Sequence, residues 1–473
     1  MQKRYRAAVW ILLFGGMALS LRAQTPAAAP PPRPAYQTLR FDEDWSFLRK
    51  TSLRSDFWDP IKFIPLNSDG SWFLTLGGET RFRYEAFYNS NFGNDRLKFS
   101  GRLLQRHSAL ADLHAGTHLR FFGQLLSALD DGHGFAPRST DIDRFDLHQS
   151  FMELRFRFAS KSSYWLRLGR QEIDIGSSRL IATKEPQNVR QRFDGVRFQL
   201  LTRNNTWTIG ALAVKPVVAK IGVWDDWADH AVTFTGAYLI VPNHLIRDGK
   251  MSFYWAGYAK KLARYDQGTG KEYRNLLGTR YFGLRKNIDY NDEFILQLGT
   301  FGRGNIRAWT LATDNGYNWT KARLHPRFGV GFDVSSGDKD RNNPDLQTFN
   351  ALFANNAYSD KVGLVGPANS INLNPSLKLF WGAKATLVTD WNFYWRQSLQ
   401  DGIYLTSGTL LRTARNNDAR FVASQPSVQL VYNFTRHLAQ NIIYTHVFPG
   451  QFLRNTPPAK DLDYVTTYLT YKF

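Results

Sequence analysis

Oily and polar residues alternate with period 2 through most of this chain, in long segments bounded by Gly, Asn, Asp and Pro. Successive side chains of a strand point to opposite faces, so the pattern calls for strands with two unlike surfaces. From Trp72 to Tyr84 one parity reads Trp72, Leu74, Leu76, Gly78, Thr80, Phe82, Tyr84 and the other Phe73, Thr75, Gly77, Glu79, Arg81, Arg83. Between Gln149 and Phe158, the oily set Met152, Leu154, Phe156, Phe158 opposes Gln149, Glu153, Arg155 and Arg157, with Phe151 intruding on the polar side. Arg323 to Val334 repeats the split, and so does Leu377 to Leu387, with Lys378, Lys384 and Thr386 on its polar face.

A soluble sandwich also alternates, so strand length, strand number and the chain's ending carry the choice. The chain divides into about eighteen segments of the ~10 residues that a tilted transmembrane strand needs. Short connections are expected at Asn204-Asn205, Asp289 to Asn291 and Thr435 to His437. Long ones are expected at Asn89 to Lys98, Asp130 to Arg144, Asp174 to Arg190, Asp338 to Asn372 and Leu399 to Asp418. That asymmetry belongs to an outer-membrane barrel with short periplasmic turns and long extracellular loops. Val465, Thr467, Leu469, Tyr471 and Phe473 alternate to a terminal phenylalanine, an ending that resembles the insertion signal of bacterial outer-membrane proteins. The expected fold is all-β, a transmembrane antiparallel barrel over residues 71–473. Met251 to Lys260, with large residues on both parities, and Pro426 mark expected bulges.

Export fits this reading. Lys3, Arg4 and Arg6 precede an uncharged run from Ala7 to Leu21, too short for a membrane span but laid out as a secretory signal, so residues 1–24 are expected to be a cleaved leader. Residues 25–40 are rich in Pro and Ala and read as an extended linker, and 41–70 as a periplasmic N-terminal segment. The chain has no cysteine, which excludes disulfides, thiol nucleophiles and Cys-ligated metals.

With the oily parity toward lipid, the other lines a pore. On the clear strands that face carries Arg81, Arg83, Arg102, Arg106, Arg120, Arg155, Arg157, Arg167, Arg197, Arg323, Arg327, Lys378 and Lys384 against Glu79, Glu153 and Asp333. The whole chain has a formal charge of +20, with 40 Arg and 20 Lys. A guanidinium grips a carboxylate through two hydrogen bonds and keeps its charge when partly dehydrated. A wall of one sign focuses its field down a channel, so an anion-conducting pore is expected. The alternative at this level is that the arginines pair with luminal acids and stiffen the wall. Nucleic acid is not an expected partner, because the basic clusters follow strand parity rather than a groove-reading helix.

Several strings resemble one family in order and spacing: Phe41 to Trp45 (FDEDW), Trp58 to Pro65 (WDPIKFIP), Leu74 to Tyr84 (LTLGGETRFRY), Asp146 to Phe151 (DLHQSF), Leu166 to Glu172 (LRLGRQE), Gly176 to Leu180 (GSSRL), Asn188 to Gly195 (NVRQRFDG), Ser336 to Asp338, Asp345 to Asn350 and Leu352-Phe353. Together they look like the alginate export family of outer-membrane barrels. The resemblance implies an 18-stranded barrel whose arginine-rich interior passes a linear polyuronate. It also implies site residues at Arg81 and Arg83, at Arg155, Arg167, Arg170, Gln171, Glu172 and Arg179, and at Asn188, Arg190, Arg192, Asp194 and Arg197. Asp174 to Arg190 would fold into the pore and narrow it. The implied partners are an anionic polysaccharide, outer-membrane lipid and a periplasmic export scaffold, for a monomer without cofactor. An uptake porin for acidic oligosaccharides or small organic acids would share fold and charge, since a passive pore has no intrinsic direction.

Enzyme signatures are missing: there is no Gly-x-Ser-x-Gly, His-Glu-x-x-His or phosphate loop. Asp338, Asp340 and Asn342 have the spacing that opens a calcium loop, but Asn343 and Phe349 stand where Gly and Glu are needed, so a solvated loop is expected. His118 and His325 read as polar groups of the pore wall rather than bases.

Overall fold

The computed structural model describes residues 33–133, 138–158, 162–202, 206–243, 249–355, 360–414 and 417–473. The expected leader, half of the linker and the Asn204-Asn205 turn lie outside the described residues. Ala35–Phe473 forms one compact unit. No helix among the described residues is long and apolar enough to cross a membrane.

The period-2 segments become eighteen long antiparallel strands. They are β1 (Trp72–Tyr88), β2 (Phe99–Ala115), β3 (Leu119–His133), β4 (Asp143–Arg157), β5 (Ser163–Gln171) and β6 (Phe193–Thr202). The chain continues with β7 (Trp207–Val218), β8 (Val232–Asn243), β9 (Gly249–Tyr265), β10 (Gly268–Arg285), β11 (Ile288–Phe301) and β12 (Gly304–Asn318). The last six are β13 (Arg327–Ser335), β14 (Ser370–Trp381), β15 (Ala385–Arg396), β16 (Phe421–Asn433), β17 (Leu438–Pro449) and β18 (Leu462–Lys472). Each strand pairs with its sequence neighbours, and β1 also pairs with β18 through Arg83↔Tyr468, which closes the barrel and leaves no free sheet edge. At that seam the main chain of Phe473 exchanges hydrogen bonds with Gly78 (2.9 and 3.0 Å), and its ring stacks on Trp58 at 4.3 Å. A Cβ on Gly78 would stand 2.7 Å from the Phe473 ring, so only glycine admits the terminal side chain there.

Alternation sorts the two surfaces as the pattern demands. On β1, Phe82 and Tyr84 are 44% and 43% exposed while Arg81 and Arg83 between and before them are buried. Trp391, Val428, Phe253 and Tyr444 join the exposed outer belt, the apolar band that faces lipid. One rim carries short turns and both ends of the described chain; the other carries the long connections 172–192, 336–369 and 397–420.

Five local expectations fail. Asp289 to Asn291 lies inside β11, because the tight turn sits just before it at 286–287. Leu377 to Leu387 is not one strand but β14, a turn at 382–384, and β15; Gly382 takes φ +58° there and reverses the chain. The strand expected from Arg323 begins at Arg327. Pro426 causes no bulge: it faces Trp391 in register, and the ladder to β17 steps from Ser424↔Phe448 to Ser427↔Thr445, where no proline N–H is needed. In β9 the register is unbroken through Met251 to Lys260, and the irregularity falls just beyond it, between Lys260 and Ala263.

Candidate functional site

The interior wall differs from strand to strand. The inner faces of β1 to β6 carry most of the arginines expected to line the pore, with Arg274, Arg327 and Arg396 buried on later strands. The inner faces of β7 to β12 carry Leu212, Val214, Val232, Phe234, Leu276, Ile295 and Ile306, an apolar lining that the alternation of the β1–β5 region does not announce. Long connections fold inward over it: Ile173, Leu180 and Ile181 from loop 172–192, and Leu346, Phe349 and Phe353 from loop 336–369, complete one buried cluster. The two loops are joined inside the barrel, since Phe353 N donates to Leu180 O (2.8 Å) and Ala182 N to Phe353 O (3.1 Å). The Phe353 ring meets Phe193, Phe234 and Tyr258 edge-on at 5.1, 5.7 and 6.2 Å.

The tip of loop 172–192 lies against the arginine face. Arg81 donates to Gln187 O (3.0 Å), Arg106 to Gln187 O (3.0 Å) and Glu185 Oε1 (2.8 Å), and Arg83 to Pro186 O. Asn188 Nδ2 donates to the carbonyls of Gln105, Leu129 and Asp141 at 3.0, 3.2 and 2.8 Å. These arginines are also paired with wall acids: Arg106 with Glu79, Arg83 with Glu85, and Arg102 with Glu85 and Asp141 at 2.6 and 2.7 Å. Arg120 grips Asp112 through two bonds of 2.7 and 2.6 Å, and both Arg155 and Arg167 pair with Glu153. The count of three luminal acids is therefore too low. Glu85 shares the parity of Glu79, and Asp112 that of Arg106, so carrying the alternation a few residues further along each strand would have found both. Buried pairs of this kind hold geometry; they leave each arginine less charge to offer a passing anion.

The N-terminal segment expected in the periplasm enters the barrel mouth on the short-turn side. Phe41 packs edge-on against Phe122 and Phe151 at 5.8 and 5.4 Å, beneath the guanidinium of Arg167 at 4.1 Å, which explains the intruding Phe151. Arg120 donates to Phe41 O (2.6 Å) and Arg190 to Thr38 O (3.1 Å), so this segment meets the 172–192 loop inside the pore. Arg40 ties it to the seam through Gly78 O and Phe473 O, both at 2.9 Å. Lys62, buried over Trp45 and Tyr36, has no hydrogen-bond acceptor among the described residues, and burial pushes its ammonium down to about 7.

The remaining named residues fall into three groups. Arg170 with Asp194 (2.8 Å), and Glu172 with Arg190 (2.7 Å) and His148 (2.8 Å), are buried or half-buried ties between β4, β5, β6 and the loop; Gln171 is buried beside them. Arg179 reaches Glu293 at 3.5 Å, Arg197 donates to the Tyr238 hydroxyl at 3.3 Å, and Arg327 pairs with Asp314 at 3.0 Å, while Lys378 stands opposite Arg327 in register. Arg157, Arg323 and Lys384 are exposed at the short-turn rim and do not line the pore, because their segments have already left the strands or end there. His118 and His325 likewise sit exposed in turns, bonded to Arg155 O and Thr320 O.

Asp338 is buried rather than solvated, with its N–H on Asp401 Oδ2 at 3.0 Å, whereas Asp340 and Asn342 are exposed, so no calcium loop forms. Asp143, Asp146 and Asp226 bring carboxylate oxygens within 4.8 Å of one another, but the Arg192 guanidinium occupies that cluster, 3.1 Å from Asp143 and in contact with Asp226. The cation this cluster needs is already supplied by the chain.

The alginate export profile matches residues 73–466. This chain belongs to the alginate export family. No curated protein sequence matches it significantly. Solved structures share the barrel of this family member at low identity. A BenF-like porin from Pseudomonas fluorescens Pf-5 superposes with TM-score 0.58 at 10% identity, over 85% of this chain and 98% of that one. OpdO of Pseudomonas aeruginosa gives 0.57 at 11%, over 85% and 97%. OpdK of the same species, solved with vanillate, gives 0.54 at 12%, over 84% and 98%. These likenesses establish the fold of this alginate export family member, a closed antiparallel barrel.

Proposed function

We propose that this outer-membrane channel conducts carboxylate-bearing solutes, with an acidic glycan of the polyuronate type as the leading substrate, an export scaffold as its periplasmic partner and a monomer as the working unit. Family membership supports the substrate class. The observation that carries anion preference is where unpaired charge lies. Much of the β1–β5 wall is neutralised by Glu79, Glu85, Asp112 and Glu153, whereas Lys260 and Arg264, at the long-loop end of β9, have no acid within 4 Å among the described residues. Cations at a mouth raise the local concentration of anions before they meet the constriction. A second reading, uptake of small organic acids, is favoured by the inward join of loops 172–192 and 336–369, which narrows the path a polymer would need. A solved neighbour's vanillate complex points the same way.

Planar-bilayer recording with a salt gradient tests both. Anion preference with block by polyuronate supports the polymer; anion preference with block by vanillate alone supports the small acid. A cation-preferring reversal potential refutes both.

A further inference from the structure

The proposed conduction of carboxylate-bearing solutes requires weak sites in the lumen where a carboxylate pauses. Resting on that reading, we propose that the chamber between the 172–192 loop and the long-loop ends of β7 to β10 is a binding site for a single sugar acid, with the Lys184 ammonium receiving its carboxylate. The chamber has a volume of about 300 Å³, and Lys184, Lys260, Arg264, Gln191, Asn350 and Tyr258 are among the residues that line it. Lys184 differs from the arginines of the wall: no acid lies within 4 Å of it and no hydrogen bond occupies it among the described residues.

Its backbone is held at φ +54°, a left-handed conformation unfavourable for a lysine. Two hydrogen bonds frame it, Gln187 N to Lys184 O (2.9 Å) and Gln191 N to Thr183 O (2.7 Å). A side chain fixed in an unfavourable backbone at the edge of a cavity is set in place by its surroundings. The chamber's acids are partly engaged: Glu272 Oε1 by Arg274, by Tyr265 (2.6 Å) and by Asn350 (3.2 Å), with its Oε2 left without a hydrogen-bond partner among the described residues, and Asp229 by Ala231 N (2.8 Å). Three unpaired cations therefore face a cavity that also offers amides and aromatic rings. Amides and hydroxyls suit a sugar's hydroxyl groups, and rings suit its flat C–H faces, so a sugar acid fits this lining better than an unsubstituted aromatic acid.

The test uses the full-length barrel in planar bilayers, with sodium glucuronate added on the long-loop side and glucose and benzoate as comparisons. Lys184→Asn removes the charge with a residue that tolerates left-handed backbone, and Lys184→Arg keeps the charge. Glucuronate should block the wild type and Lys184→Arg at similar concentrations. The half-blocking concentration should rise about tenfold in Lys184→Asn, the loss of one charge-assisted bond, while the glucose response stays constant. Equal glucuronate block in Lys184→Asn and wild type, in a channel that remains anion-selective, overturns the site and leaves the channel reading standing. Stronger block by benzoate than by glucuronate overturns the sugar-acid assignment, and a cation-selective wild type overturns both.

Discussion

Replacing Phe41 with alanine should unseat the N-terminal segment from the barrel mouth. Phe41 is 3% exposed, sits edge-on to two rings and lies under Arg167 at 4.1 Å. Truncating a buried phenylalanine costs about 3–5 kcal/mol, and because the lost contacts exist only when the segment is seated, that cost falls on the seated state. At about 1.4 kcal/mol per factor of ten, the unseated population rises roughly 100- to 4,000-fold. The β1–β18 ladder and the Gly78–Phe473 main-chain bonds that close the barrel do not involve the Phe41 side chain, so the barrel itself should still form. Single-channel recording of F41A should show larger or more frequent openings, and limited proteolysis should cut within residues 36–63 in F41A before wild type. Phe57→Ala is the matched comparison, since Phe57 is 84% exposed in the same segment and should change neither readout. Wild-type conductance, gating and protease resistance in F41A would refute the view that this segment closes the pore.

Charge reversal at Arg167 looks from sequence like a selectivity probe, but it would set a second acid against buried Glu153, a loss of roughly 3–5 kcal/mol; the heat-induced gel shift of R167E should occur at lower temperature, and an unchanged transition would show the pair to be dispensable. Burial pushes Asp401, in loop 397–420, up to about 6 although Thr348, Tyr404 and the Asp338 N–H bond it. A carboxyl raised above its unfolded value of about 3.9 adds stability that is full below that value and lost as pH rises through about 6, so amides of 336–355 and 397–414 should show larger protection factors, relative to intrinsic exchange at each pH, at pH 5 than at pH 7.5; equal protection factors would contradict this. Burial also pushes Lys184 down to about 8. Lys260, Arg264, Asp229, Glu272 and Tyr258 share its cavity, and glucuronate block should fade between pH 7 and 9 in wild type but not in Lys184→Arg.

Much of the barrel was legible because strand alternation is local. Arg81, Phe82, Arg83 and Tyr84 name two faces within four residues, and repetition along the chain gives the strand number; an ending at Phe473 then meets Gly78 to close the ring. Turns read less well, as at Trp381 to Ala385, where oily parity continues on both sides of a reversal and hides it.

Sequence by itself determined the barrel, its lipid-facing belt and the lumen parity of Arg81, Arg83, Arg102, Arg106, Arg120 and Arg167, since each depends on neighbours a few residues away. Only the tertiary structure decided what those guanidiniums hold. Arg120 binds the carbonyl of Phe41, Arg83 that of Pro186, and Phe353 joins Leu180, contacts between segments many tens of residues apart. Alternation says which way a side chain points. The partner it finds inside a closed ring depends on which segments fold back into the lumen, and that follows from packing across the whole barrel.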